Sequence, residues 1–211
     1  MAYLPLMLDV GGRRAVVFGL NALTAQRIRQ LLDAGAVVDL YVPGVEGVGS
    51  VVEDVRGAVR GAAIVVVHTG RADLDRAIAV VCREKGIPCN TVDSLDGSVV
   101  FPAVSRHGNL TVSVSTDGLV PSLSVHIRDR IDSEVQVASR ALPVLAFTRE
   151  RIREMGLNTR PLMRDILSDS RFWAMVEAGR LEDAREFCME RVRQVLHERG
   201  KGSAPCHVGQ S

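Results

Sequence analysis

The chain has 211 residues, of which 46% are hydrophobic and only 4% aromatic. Its interior must therefore consist mainly of aliphatic side chains, as in parallel sheets covered by helices. Lysine and arginine number 26 against 25 acidic residues, and this balance argues against a protein that nucleic acid holds by bulk charge. The four cysteines form no Cys-x-x-Cys pair, so neither a zinc knuckle nor a redox dithiol is indicated, and we expect buried or idle thiols.

The amino-terminal segment has no basic start followed by an apolar run. No stretch approaches the roughly 20 consecutive apolar residues that a membrane span needs. We therefore expect a cytoplasmic protein that binds neither membrane nor nucleic acid.

The first ninety residues alternate between strand and helix patterns. Apolar runs predict strands at 15–18, 36–42, 62–69 and 87–92. Apolar residues at helical spacing predict helices at 22–34, 51–60 and 71–85. This order predicts an α/β fold with a Rossmann-like parallel sheet and right-handed crossovers.

The pattern changes near Ser98. Two extended runs within 98–116, joined by a turn near His107, predict a hairpin rather than a crossover. A helical pattern follows from Ser122 to Val137, and helices rich in arginine and glutamate follow from Ser139. We accordingly divide the chain into 1–97, 98–138 and 139–211.

The turn after the first strand resembles a dinucleotide-binding turn but holds one glycine, Gly19, where such turns usually hold three. Leu20 is expected to crowd a bound pyrophosphate, whereas Asn21 tolerates unusual backbone angles. The second strand ends at Val42 and Pro43, without the acidic residue that commonly binds the ribose. These residues alone favour two interpretations equally. One is a cofactor site, and the other is a doubly wound domain that keeps the shape of a nucleotide-binding fold without binding the cofactor.

Three segments, read in order, resemble precorrin-2 dehydrogenases of the siroheme-synthase N-terminal type. They are YLPLMLDVGGRRAVVFG, LLDAGAVVDLYVP and GIPCNTVDSLDGSVVFPAVSRHGNLTVSVSTDGLVPSLSVHIRDRI. The most specific part is N-x-V-D followed by a short loop, F-P-A, a hairpin and a proline before a helix. The resemblance covers about residues 3–131. It implies an NAD-binding domain over 1–97, a dimerisation region over 98–138 and a small helical domain over 139–211.

The resemblance also implies an activity. Members oxidise precorrin-2 to sirohydrochlorin with NAD in siroheme biosynthesis, some members also insert ferrous iron, and two chains interlock as a homodimer. The altered glycine turn keeps a second hypothesis open, a catalytically weakened homologue that binds a tetrapyrrole or a partner enzyme without redox turnover. A third is a metal-inserting enzyme that has lost the dehydrogenase step.

Carried over to this sequence, the resemblance makes Asp93 of the N-x-V-D motif the candidate acid/base. Without the resemblance, a loop cap is the favoured role of Asp93. The implied cofactor contacts are Gly19, Leu20, Asn21, Ala22, Pro43 and Thr69. The implied substrate contacts are Arg106, Ser115 and Arg128, although arginines on a hairpin and a helix are more often solvated or paired.

Three histidines are candidates for transient contact with an incoming metal, because imidazole is a common ligand of divalent iron, cobalt and nickel. These are His68, His107 and His126. None lies at the spacing of a metal motif, so we expect no stably bound metal.

Overall fold

The computed structural model describes residues 3–42, 54–94 and 96–202, with side chains described as far as Arg199. The chain forms two compact units. The first comprises residues 1–102 and 115–121, and the second comprises residues 103–114 and 122–211. Among the described residues, no helix is both long enough and apolar enough to cross a membrane.

The first unit contains a four-stranded parallel sheet with the strand order β2-β1-β3-β4. The strands are β1 (Arg14–Phe18), β2 (Val37–Tyr41), β3 (Ile64–Val67) and β4 (Cys89–Thr91). The helices are α1 (Ala22–Asp33), α2 (Val55–Ala58) and α3 (Ala72–Glu84). This alternation confirms the predicted Rossmann-like sheet, with boundaries that differ from the prediction by at most four residues.

Side chains of the central strands alternate between two cores, because successive residues of a strand point to opposite faces. Val16 and Phe18 of β1 pack with Ile78 and Cys82 of α3 on one face. Ala15 and Val17 pack on the other face in a second cluster that includes Leu31 of α1. Every residue of β3 is buried, as is typical of a central parallel strand that is covered on both faces.

The second unit begins with an antiparallel hairpin and continues as helices. The elements are β5 (Ala103–His107), β6 (Leu110–Val114), α4 (Pro121–Glu154), α5 (Thr159–Ser168), α6 (Ser170–Glu177) and α7 (Leu181–Gly202). The hairpin is confirmed. Ile152, Ile166, Phe172 and Val176 are fully buried in one core that the helices share.

Helix α4 joins two helical segments that the sequence pattern separates near Ser139. It runs without a break across Pro143, which is exposed. Proline removes one backbone N–H from a helix, and packing of flanking residues such as Ala141 and Val144 in the helical core offsets that loss. The division into three functional domains stays a prediction.

The thiols of Cys82, Cys89 and Cys188 are buried and free, as expected, while Cys206 lies outside the described residues. A hydrogen bond with Cys82 together with burial raises the pKa of the Cys89 thiol. Burial likewise raises the pKa of Cys188. These thiols contribute to packing.

Candidate active site at the carboxyl ends of the strands

The sheet brings the residues that follow β1, β3 and β4 to one edge. Parallel strands end on the same side of a sheet, and ligands of open α/β sheets bind at that side. Gly19 follows β1, His68 follows β3, and Asp93 lies two residues beyond β4. Since β3 lies between β1 and β4, His68 lies between the other two positions.

Gly19 makes this convergence sterically feasible. Its φ is +94°, a conformation that L side chains rarely adopt. A Cβ atom at this position would lie 1.9 Å from the carbonyl oxygen of His68 and 2.6 Å from its carbonyl carbon. Both are backbone atoms that cannot move aside, so only glycine allows the turn after β1 to pass so close to the end of β3.

Asn21 caps helix α1. Its Oδ1 accepts hydrogen bonds from the backbone N–H groups of Leu23 (3.0 Å) and Thr24 (3.1 Å). The Thr24 hydroxyl in turn accepts from the Asn21 N–H (2.9 Å), which completes a capping box. Three of the four N–H groups that a helix start leaves unpaired are therefore satisfied, and the fourth, that of Ala22, has no acceptor among the described residues.

The cap also fixes the orientation of the Asn21 amide group. Because Oδ1 faces two backbone donors, it must be the oxygen, and Nδ2 must point the other way. Nδ2 donates to the His68 carbonyl oxygen (3.2 Å) and lies within hydrogen-bond distance of His68 Nδ1. Nδ1 is then the acceptor, so in the neutral ring the proton is on Nε2.

His68 Nε2 contacts the Asp93 carboxylate. In the tautomer that Asn21 selects, Nε2–H donates to this carboxylate and holds its orientation. The His68 side chain is 21% exposed, whereas that of Asp93 is 62% exposed. Asn21, His68 and Asp93 therefore form a chain of hydrogen bonds. In this chain the partly buried Asn21 and His68 hold the exposed carboxylate of Asp93 in position.

Two further contacts order the loops around this site. Asp75, in the first turn of α3, accepts from the backbone N–H of Thr69 (3.0 Å) and from its hydroxyl. The hydroxyl of Thr91 donates to Ser94 O (2.9 Å) and accepts from Gly97 N–H (2.8 Å), which closes the loop after Asp93 back onto β4. The loop on each side of the Asp93 carboxylate is therefore tied down.

The predicted substrate contacts all make local hydrogen bonds. Arg106 donates through Nε to the Thr111 hydroxyl (3.2 Å), and Arg128 donates through Nε to Asp129 (2.6 Å). The Ser115 hydroxyl accepts from the backbone N–H of Asp117 (3.1 Å). These three assignments stay predictions.

The predicted histidines do not converge on one metal site. His107 Nε2 lies 3.1 Å from Asp132 Oδ1, which also accepts from the Ser105 hydroxyl (2.7 Å). The hydrogen bond from Ser105 and then that from His107 lower the pKa of Asp132. This contact fastens the hairpin to α4. Among the described residues, no group of three or more His, Cys, Asp or Glu side chains could hold a metal ion.

Some features of the glycine turn are compatible with a bound dinucleotide. Gly19 keeps the close backbone approach, the Leu20 side chain is 59% exposed, and the Ala22 N–H remains for a phosphate oxygen. Asn21 rather than Leu20 limits the site, because its side chain occupies two N–H groups that an anion would otherwise use. Pro43, also predicted to contact the cofactor, lies outside the described residues.

The parallel sheet, the glycine turn and the carboxyl-edge site define a Rossmann-like nucleotide-binding protein. Residues 6–103 match the family model NAD_binding_7, an NAD(P)-binding family. The fold resembles that of SirC, a precorrin-2 dehydrogenase, with a TM-score of 0.67 at 22% identity, and the match covers 90% of this chain and 100% of that one. The comparison supports the fold, and the family match supports a nicotinamide cofactor.

Two curated relatives specify the family. A precorrin-2 dehydrogenase of Methanosarcina barkeri is 32% identical over 152 residues, which cover 63% of this chain and 66% of that protein. A siroheme synthase of Azotobacter vinelandii is 29% identical over 228 residues, which cover all of this chain and 47% of that protein. The chain belongs to the family of precorrin-2 dehydrogenases and siroheme synthases, and it spans about half the length of the siroheme synthases it matches.

The structure brings together several of the residues predicted for the site, namely Gly19, Asn21 and Asp93, and it adds His68 in a role that the sequence did not suggest. The sequence marked His68 only as a candidate metal contact. The signal that could have identified His68 as a site residue is its position directly after a buried strand, because Gly19 and Asp93 follow the two neighbouring strands.

We predict that Asn21→Gly strengthens NAD binding more than Leu20→Gly does. Removal of the Asn21 side chain frees the N–H groups of Leu23 and Thr24 for phosphate, whereas Leu20 is already exposed. Replacing an N-cap asparagine by glycine costs only about a few tenths of a kcal/mol of stability. Isothermal titration calorimetry with NAD measures the two dissociation constants, and a larger gain for Leu20→Gly would contradict the assignment.

Proposed function

We propose that this chain catalyses the NAD-dependent oxidation of precorrin-2 to sirohydrochlorin. The observation that carries the proposal is the exposed Asp93 carboxylate, held by His68 beside the glycine turn at the carboxyl edge of the sheet. The name precorrin-2 dehydrogenase, which the Methanosarcina barkeri relative bears, supports the same reaction.

The reaction removes a hydride and a proton from the macrocycle. The nicotinamide cofactor supplies the hydride acceptor. Asp93 is the proton acceptor, since it is exposed and lies where ligands reach the sheet. The hydrogen bond from His68 Nε2–H occupies one region of the carboxylate and leaves its remaining lone pairs for the proton. Gly19 and the Ala22 N–H would hold the pyrophosphate.

His68 acts through Asp93 as a positioning residue. A neutral imidazole that accepts from Asn21 and donates to Asp93 restricts the carboxylate to one orientation. Proton transfer depends steeply on such geometry, and a misplacement of about 1 Å can lower a rate by about 100-fold. Asn21, which caps the helix, therefore fixes the orientation of the proposed base through His68.

We predict that Asp93→Asn lowers kcat by about 10² to 10⁴, the usual contribution of a general base. We expect His68→Leu to lower kcat by about tenfold and His68→Gln to retain more activity, since an amide can both accept and donate. NADH absorbance with precorrin-2 and NAD measures each rate.

The matched control is Asp96→Asn, an aspartate of the same loop that contacts Ser94 and Arg76. Its kcat should stay near that of the unmodified chain. Equal rates for Asp93→Asn and Asp96→Asn would contradict the role of Asp93. Equal rates for the Gln and Leu variants of His68 would contradict positioning by hydrogen bonds.

We propose NAD rather than NADP as the cofactor. A 2′-phosphate is usually held by an arginine after the second strand. Residues 42–53, which follow this strand in the sequence, contain no lysine or arginine that could bind a 2′-phosphate. We predict that kcat/KM for NAD exceeds that for NADP by about tenfold, since the loss of about 1.4 kcal/mol of binding free energy corresponds to that factor. A preference for NADP in the same assay would contradict the assignment.

We further propose that the chain acts as a homodimer. Three large aliphatic side chains in the first two turns of α4 are exposed, and exposed apolar surface marks interaction sites. They are Leu123, Val125 and Ile127.

We predict that light scattering gives twice the mass of one chain and that the double variant Leu123→Lys/Ile127→Lys gives the mass of one. Buried lysines in an interface would remain unpaired and prevent association. Val80→Lys, a change at an exposed residue of α3, is the control and should leave the mass unchanged. A single-chain mass for the unmodified protein would contradict the proposal.

A further inference from the structure

The second unit contains an open groove of about 810 Å³ where α4 ends and α5 begins. Four arginines line it. They are Arg149, Arg153, Arg160 and Arg164. The groove is formed wholly by residues of the second unit, and no residue of the proposed Asp93 site belongs to it.

The four arginines lie on two helical faces at matching spacing. Arg149 and Arg153 are four residues apart near the end of α4, and Arg160 and Arg164 are four residues apart on α5. Side chains four residues apart project from the same face of a helix. Each helix therefore presents two guanidinium groups to one groove.

These arginines differ from several other arginines of the same unit. None of the four is paired with a carboxylate within the part of the chain that the structure describes. By contrast, Arg151 pairs with Glu154, Arg191 with Asp169 and Arg193 with Glu186. Four positive charges that lack internal partners converge on one concave surface, which favours a ligand with several negative charges.

The floor of the groove is partly apolar. Leu157, Met163 and Leu167 line the groove together with the four arginines, Asn158 and Thr159, and Leu167 is 41% exposed. Nucleic acid and inorganic phosphate would leave such a floor uncovered. A broad apolar ring that carries carboxylates around its edge would cover the floor and place its charges against the guanidinium groups, which bind carboxylates through two parallel hydrogen bonds.

We propose that this groove binds a polycarboxylate macrocycle of the tetrapyrrole class. The choice of this class rests on the proposed function, because its substrate and product are such molecules, while binding in the groove requires no turnover. The groove thereby supplies the chain with a tetrapyrrole contact that belongs to the helical unit alone.

The test uses uroporphyrin, an aromatic tetrapyrrole with eight carboxylates, and the full chain without NAD. We expect saturable quenching of uroporphyrin fluorescence that weakens as salt rises, because exposed charges are screened. The double variant Arg153→Gln/Arg160→Gln should bind about tenfold more weakly, and Arg149→Gln/Arg164→Gln should behave alike. Arg193→Gln, an exposed arginine of α7 outside the groove, is the matched control and should bind as the unmodified chain does.

Absence of uroporphyrin binding by the unmodified chain would overturn the proposal, and so would equal binding by both groove variants and the control. An RNA oligonucleotide that displaces uroporphyrin and binds more tightly would assign the groove to nucleic acid instead. Asp93→Asn should leave the arginine-dependent binding intact. If precorrin-2 is not oxidised while uroporphyrin binding still depends on these arginines, the proposed function fails and the groove assignment stands.

Discussion

The close passage of the Gly19 turn over the end of β3 is the constraint on which the candidate site depends. A side chain at residue 19 would overlap the His68 carbonyl group, so only glycine allows the turn and the start of α1 to lie against this strand end. That approach brings Asn21 within reach of both the His68 carbonyl oxygen and its ring. Without it, the imidazole would have no fixed tautomer and the Asp93 carboxylate no fixed orientation.

Asn21 couples two properties that are separate in a glycine-rich turn. A helix start with three glycines leaves its N–H groups free for a phosphate, and it contributes nothing to side-chain orientation. Here the amide oxygen of Asn21 satisfies the N–H groups of Leu23 and Thr24, and the amide nitrogen holds His68. The same residue therefore weakens the anion site and strengthens the position of Asp93. Fewer free N–H groups at the helix start and a better ordered Asp93 carboxylate therefore both follow from asparagine at this position.

Much of the fold could be predicted from the sequence because the signals are local. Alternating apolar runs and helical spacing predict the sheet, and the turn near His107 predicts the hairpin. The contact between Asn21, His68 and Asp93 could not be predicted in the same way, because it depends on strand order and on which face each side chain occupies. The sequence pattern separates two helical segments near Ser139, but the structure has one continuous helix, α4, which also continues across Pro143 because residues on both sides of the proline pack in the helical core.

The arginine-rich helices illustrate where charge patterns in a sequence are ambiguous. Spacing alone predicts ion pairs on a solvated face, and Arg151 with Glu154 follows that prediction. Arg149 and Arg153 lie on the same helix among similar residues of the sequence. They nevertheless line a groove whose lining residues include no Asp or Glu. Two residues of offset along a helix rotate a side chain by about 200°, which separates the paired arginine from the unpaired ones. The sequence therefore shows how many positive charges the unit carries, and only the fold shows that four of them converge on one partly apolar groove.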